Sequence, residues 1–552
     1  MARTITFRRK RNFMRMELMP GQMADPPMEF FTQPEGEDRI TEINRLGTQR
    51  SPFVRNLVFS ADSMYVTRNG TEVTGTAASS TICGLAIYSP RTGSDYIVRV
   101  TTTGVDYWAG SSWIALSGPV LAVSPYTIVE FTVWDNNLVF SDASTGIYTI
   151  SISSGTYALI SGSPAVKHLT TFGGRVIGSY VTVDADPTLT GTHPTRIEWC
   201  VKNDNTDWLG LGSGYEDLLS APGGVVDIQH GVVPVTDSEA FVLRSSSIWI
   251  MRTTGYFETP FNFTYRFDQG TDSPSSIIRV PSERGGDSTS LYAQLIMLGL
   301  DDVLMVHPEK IVPIGLPIRD ELLNSTLNAR TAIAGFEPRM REYWLHVPPL
   351  TDDNTESVVW RYRIDEKRWY HTLYPFKITR MAFRDLLFAT TYDQLTGTIE
   401  DLAGPYDNLG LGSRQPGAVF AVSGTNIVVR ERLGLTGDVT SAGAATGIPI
   451  QIRTGEILPS SVRDNLTLVM LELLYESSRV MTVTFEYSED GGTTWTSYGT
   501  LSLAITTTPT IVPYRFTKSI RKVQLRVTAT DAGGLQFHGL YVKTVKGSPI
   551  NQ

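Results

Sequence analysis

Cysteine is nearly absent. Of 552 residues only Cys83 and Cys200 are cysteines, far apart and without metal-ligand neighbours, which excludes a disulfide framework or a cysteine zinc site and suits folding in a reducing cytoplasm. Long apolar runs are missing too. No stretch of 18 or more apolar residues occurs, so no helix is expected to span a bilayer. The basic opening MARTITFRRKRNFMRMELMPG lacks the apolar run of a secretory signal. Charged residues make up only 19% and the formal net charge is −9, a balance that argues against gripping nucleic acid by wholesale phosphate neutralisation. No phosphate-cradling Gly-x-x-x-x-Gly-Lys-Ser/Thr is present, and the Gly cluster LGLGSG lacks the lysine. The seven histidines (His168, His193, His230, His307, His346, His371, His538) show no His-x-x-x-His spacing and read as satisfied or surface side chains. No cofactor or metal is expected, and the chain is expected not to be an enzyme.

What is plentiful is Gly, Thr, Ser, Val, Ile and aromatic residues, a usage that suits strands and turns. Over 51–410 one texture recurs, a short alternating strand, a tight polar turn and a second strand, as in VDYWAGSSWIALSG, VWDNNLVFSDASTGIYTI and EAFVLRSSSIWIMR. Such hairpins are marginal alone, and radial stacking of small sheets buries their faces. A β-propeller is therefore expected here in preference to paired sandwiches. Residues 1–50 read as an extended arm whose basic run Arg8, Arg9, Lys10 and Arg11 is a candidate docking element. Residues 411–552, after a Gly-rich passage, read as a β-sandwich. The good helix candidate is Arg319 to Ala334, where Leu322, Leu323 and Leu327 give one modest apolar face. The fold class expected is mainly β.

SEDGGTTW (488–495) fits the Asp-box pattern at Ser488, Asp490, Gly492, Thr494 and Trp495, and so resembles the hairpin repeated in sialidase propellers. Within that motif the Asp holds turn amides, the Gly takes positive φ and the Trp packs beneath, so one copy implies a structural role. Ile278 to Pro281 reads IRVP and resembles the Arg-Ile-Pro element of sialidases, but it stands about 200 residues before the box, too far for that family's order.

The stretch 190–315 carries, in order, TRIEW, an Asn/Asp turn ending in Asp207-Trp208, SSSIWIM, FNFTYRF and a closing Pro-Ile-Gly. This order resembles the tail nozzle, or tail tube hub, of short-tailed bacteriophages. The resemblance implies a β-propeller virion protein assembled in the host cytoplasm as a hexameric ring below portal and adaptor. It would carry tail fibres or spikes and conduct DNA at genome ejection without binding it specifically. Asp301, Asp302, Asp352 and Asp353, on expected turns, are candidate lumen acids that would repel passing phosphate. The alternative is a receptor- or glycan-binding tail protein in which Trp108, Trp113, Trp369 and Tyr370 stack on sugars, or, further off, a sialidase-like glycoside hydrolase.

Overall fold

The computed structural model describes residues 27–546 except 42, 44, 61–63, 92–94, 220–225, 282–292, 325, 352–354, 384–417, 433–434 and 459–465. Seven sets of four antiparallel strands stand in a ring, a β-propeller. They are blade 1 (82–115), blade 2 (131–159), blade 3 (165–217), blade 4 (229–267), blade 5 (278–313), blade 6 (333–374) and blade 7 (378–431). Six are separate four-stranded sheets, and blade 6 is one end of a nine-stranded sheet. In every blade the chain enters on the innermost strand and moves outward. Blade 7 is completed by Thr71–Val73 from far upstream, which pairs with Val428–Glu431 and fastens the two ends of the ring.

Burial explains the residue pattern. The second strand of a blade is covered on both faces by neighbouring blades, so Glu239–Arg244 and Gln294–Leu298 are almost wholly buried and rich in Val, Leu and Phe. Outermost strands keep one wet face, and Phe261–Phe267 accordingly alternates. A separate apolar core fills each gap between blades. Val139 packs with Val166 and Val176, Ile197 with Val242, Leu243 with Leu295, Trp344 with Phe420, and Leu85 with Val419, the last closing the circle from blade 7 to blade 1.

The C-terminal part is a sandwich of two sheets around one core containing Leu471, Val483, Phe485, Val527 and Val542. One sheet runs Thr506–Ile520, Leu466–Ser477, Leu535–Lys546, Tyr65–Thr67, Leu57–Phe59, with Met28–Phe30 also pairing on Leu535–Lys546. The other continues blade 6 outward through Val54–Arg55, Ile450–Arg453, Gln524–Ala529, Met481–Ser488 and Thr496–Leu503.

These pairings move the expected boundaries. Residues 28–67 do not form a free arm or the start of the propeller, because Phe30, Phe31, Leu57, Phe59 and Tyr65 are buried in the sandwich core. The propeller begins at Thr71 and extends past 410 to Glu431, since Val419–Val422 and Val428–Glu431 supply two strands of blade 7. The helix expected from Arg319 to Ala334 shrinks to the single turn Arg319–Leu322. Asn324 Oδ1 accepts from the amide of Thr326, the amide of Asn328 donates to the carbonyl of Pro348, and Ile333 already pairs with His346 in blade 6. Local side-chain turns and sheet pairing outcompete one modest apolar face.

Candidate functional site

In blades 3 and 4 the turns that join first to second strands, and third to fourth strands, emerge on one face of the ring. Between blades 3 and 4 they enclose a cavity of ≈ 710 Å³, a size that suits a small molecule or a few sugar rings. The turn Gly173-Gly174 lines it, and its two residues have φ of +59° and +72°, a conformation side-chain-bearing residues disfavour. A Cβ on Gly174 would also stand 3.0 Å from Asn203 Oδ1. Tyr256 and Phe257, on the 254–260 loop of blade 4, line the cavity and are exposed, Tyr256 by 74%. Phe257 leans on Gly212 of the neighbouring loop, so a side chain at Gly212 would meet its ring. That neighbouring loop is fixed from within. Asp207 accepts bonds from the amides of Leu209 and Gly210, and the buried Trp208 donates its indole N–H to the carbonyl of Asn205 at 2.8 Å.

Polar groups converge on the same space. Arg175, Lys202, Asp237 and Arg279 all line it. Arg175 opens the second strand of blade 3 and Arg279 lies on the innermost strand of blade 5. Burial lowers the affinity of the Arg175 guanidinium for its proton.

A second polar group sits toward the opposite face, near the axis. Glu130 Oε1 meets His168 Nδ1 at 2.9 Å, the His168 and His230 rings are 6.1 Å apart, and His230 Nε2 faces Ser245 Oγ at 3.2 Å. Burial first, then His168 and Lys167, pull the His230 imidazole down to about 3, so it is neutral at ordinary pH. A histidine–serine contact is therefore present at His230. A third group is closed. Arg196 is held by both Asp184 and Asp217, while the neighbouring Glu198 has one oxygen without a partner among the described residues. Burial, and then Asp184, push the Glu198 carboxyl up to about 8.

The Asp box lies at the tip of the hairpin joining Met481–Ser488 to Thr496–Leu503. Asp490 accepts from the amides of Thr493 and Thr494 and from the hydroxyls of Ser488 and Thr494, which hold its carboxyl well below the usual carboxylate range. Gly492 has φ +91°, and Trp495 donates to its carbonyl at 3.0 Å while Arg526 and Arg453 lie over the indole. Every defined residue of the box is occupied in holding the turn.

Other expected site residues do not gather. Arg8, Arg9, Lys10 and Arg11, and likewise Asp352 and Asp353, lie outside the described residues. Asp301 is exposed, but Asp302 is buried and bonds the amide of Val303 in a turn between the second and third strands of blade 5, one strand away from the innermost. Among the aromatics offered as sugar platforms, Trp369 is 2% exposed and Tyr370 is fully buried, because both fill cores at the blade 6 junction. Trp108 and Trp113 are half-buried against each other with Arg99 over Trp113. The cavity residues Arg175, Lys202, Asp237, Tyr256 and Phe257 went unmarked in the sequence. The usable signal was Gly173-Gly174 set opposite a Gly-aromatic-aromatic turn two hairpins later.

No family model and no curated protein matches the chain. Solved structures with which it is similar include the extracellular domain of a putative one component system from B. thetaiotaomicron, at 10% identity and TM-score 0.39, covering 85% of this chain and 62% of that one. Another is an exo-beta-1,3-galactanase from Phanerochaete chrysosporium, at 8% identity and TM-score 0.22, covering 68% and 95%. A third is a glycoside hydrolase family 43 arabinoxylan arabinofuranohydrolase from Bacillus subtilis, at 11% and 0.22, covering 83% and 78%. At these identities the likeness concerns the fold alone. The expectation that the chain is not an enzyme is corrected here, since glycoside hydrolases stand among the structures it matches.

Proposed function

We propose that this chain is a glycan-recognising tail protein that takes sugar in the cavity between blades 3 and 4. The observation that carries the reading is the pairing of two exposed rings, Tyr256 and Phe257, with convergent polar side chains around ≈ 710 Å³. Aromatic faces cover the apolar faces of sugar rings, and the polar groups fix their hydroxyls. The tail setting rests on the order of elements in 190–315, the stretch that supplies ten of the cavity's fifteen lining residues. The test is titration of the intact protein with a panel of oligosaccharides, followed in parallel for release of new reducing ends. Tyr256→Ala is expected to weaken binding about tenfold, equivalent to ~1.4 kcal/mol. Absence of binding to every oligosaccharide would overturn the reading.

A second reading, the nozzle subunit of a hexameric tail ring conducting DNA and meeting an adaptor and fibres, draws on a different observation. Leu209 and Leu211, on the turn between the third and fourth strands of blade 3, and Leu219 and Val226, on the link from blade 3 to blade 4, are all exposed, as residues covered by a neighbouring subunit would be. Electron microscopy of the assembled protein decides it, because the reading requires a sixfold ring with those residues at the subunit boundary.

A further inference from the structure

The cavity is one-sided in charge. Arg175, Lys202 and Arg279 place three cations on its wall against the single carboxylate of Asp237. Arg175 is the telling member. It is 4% exposed, and its hydrogen bonds are two long ones of 3.4 Å to the carbonyls of Gly173 and Gly212. Its Nε has no partner among the described residues. Arg196 and Arg380 are better provided for. Arg196 is paired with two carboxylates. Arg380, half-buried and without a carboxylate partner among the described residues, gives all three nitrogens to carbonyls at 2.6–2.8 Å. A buried guanidinium left this poorly satisfied is costly unless something else completes it, and its planar fork matches a carboxylate.

We infer that the cavity takes an acidic sugar, a glycan bearing a carboxylate that Arg175 receives with Arg279 and Lys202 beside it. The inference rests on the reading of the cavity as a glycan site and names the class of sugar. Gly173-Gly174 places no side chain beside the fork, and Tyr256 and Phe257 are left for the body of the sugar ring.

The test uses the intact protein and matched probes, oligogalacturonate and sialyllactose, each beside its neutral methyl ester, in calorimetric titrations at low and high salt. At least one acid is expected to bind about tenfold or more tighter than its ester, with the advantage shrinking in salt, because charge-assisted bonds are lost with the charge. Arg279→Gln, on an exposed side chain with no partner among the described residues, is expected to fold normally and to reduce that advantage. Arg175→Gln is expected to abolish it, and if that variant fails to fold, Arg279→Gln and the salt series still decide. Equal binding of acids and esters, unchanged by Arg279→Gln, would overturn the inference and leave the glycan reading standing. Binding of none of the acids, the esters or the wider oligosaccharide panel would overturn both.

Discussion

Two buried arginines divide this molecule into a part that is finished and a part that is waiting. Arg68, 1% exposed at the junction of propeller and sandwich, gives every donor a partner. Asp438 receives both of its Nη groups, Asn56 receives Nε, and the carbonyls of Asn69 and Leu373 take the remaining hydrogens. Burial works against this charge, but Asp438 outweighs it and holds the guanidinium above its ordinary value. Arg175, 4% exposed at the cavity, has long bonds to two carbonyls and burial lowers its proton affinity. The same residue type, buried to the same degree, is architectural where every donor is met, as at Arg68, and available where the donors are met only by long bonds, as at Arg175. The surroundings agree. The junction is a continuous nine-stranded sheet joining blade 6 to the sandwich, whereas the cavity is enclosed by turns, which can be reshaped without disturbing the blades behind them.

The largest effect is expected from removing the partner at the junction. Asp438→Ala strands Arg68 without a counter-charge and is expected to cost about 3–5 kcal/mol, read from urea unfolding of the whole chain. A loss under about 1 kcal/mol would mean the junction pair is no more committed than a surface pair.

Glu198 gives the next largest effect. Its folded proton affinity lies near 8 against an ordinary 4.5. Between those values the folded chain keeps a proton that the unfolded chain has released, so stability is full below about 4.5 and falls as pH rises toward 8. Glu198→Gln removes the titration and is expected to flatten this decline by about 3 kcal/mol between pH 5 and pH 8. Paired melting curves of parent and variant at the two pH values check it; an equal decline in both would show that Glu198 is ionised in the fold.

Trp495→Ala takes a half-buried ring from between Arg453, Arg526 and the Asp-box turn. The expected cost is about 1–2 kcal/mol, seen as a lower unfolding midpoint with cavity binding unchanged. A change in binding without a change in stability would transfer the Asp box from scaffold to site.

The smallest effect is the most informative about the cavity. Arg175→Met removes a buried charge that has no carboxylate and is expected to shift stability by less than about 1 kcal/mol, toward greater stability. A loss as large as that of Asp438→Ala would place Arg175 with Arg68 as an architectural residue.

The Asp box was legible residue by residue, because its bonds run between Ser488, Asp490, Thr493, Thr494 and Trp495, all within one hairpin. The blades were legible as texture, since alternation and tight turns are local consequences of a strand covered on its faces. Their boundaries were not. Nothing local in Thr71–Val73 announces that it closes a sheet with Val428–Glu431. Trp369 and Tyr370 looked like surface platforms because an aromatic pair in an Arg-rich strand reads the same whether or not a second sheet covers it. The cavity was hidden for a similar reason, as its wall combines turns of blades 3 and 4 with one residue of blade 5.

By itself the sequence determined that this is a mainly β chain of stacked hairpins with a terminal sandwich and one structural Asp box, because those properties depend on the spacing of near neighbours. Only the tertiary structure decided how many sheets close the ring, that residues 28–67 complete the sandwich, and which buried charges are answered. Arg68 finds Asp438 across 370 residues while Arg175 finds no carboxylate among the described residues, and the energy of a buried charge depends on what stands beside it in space rather than along the chain.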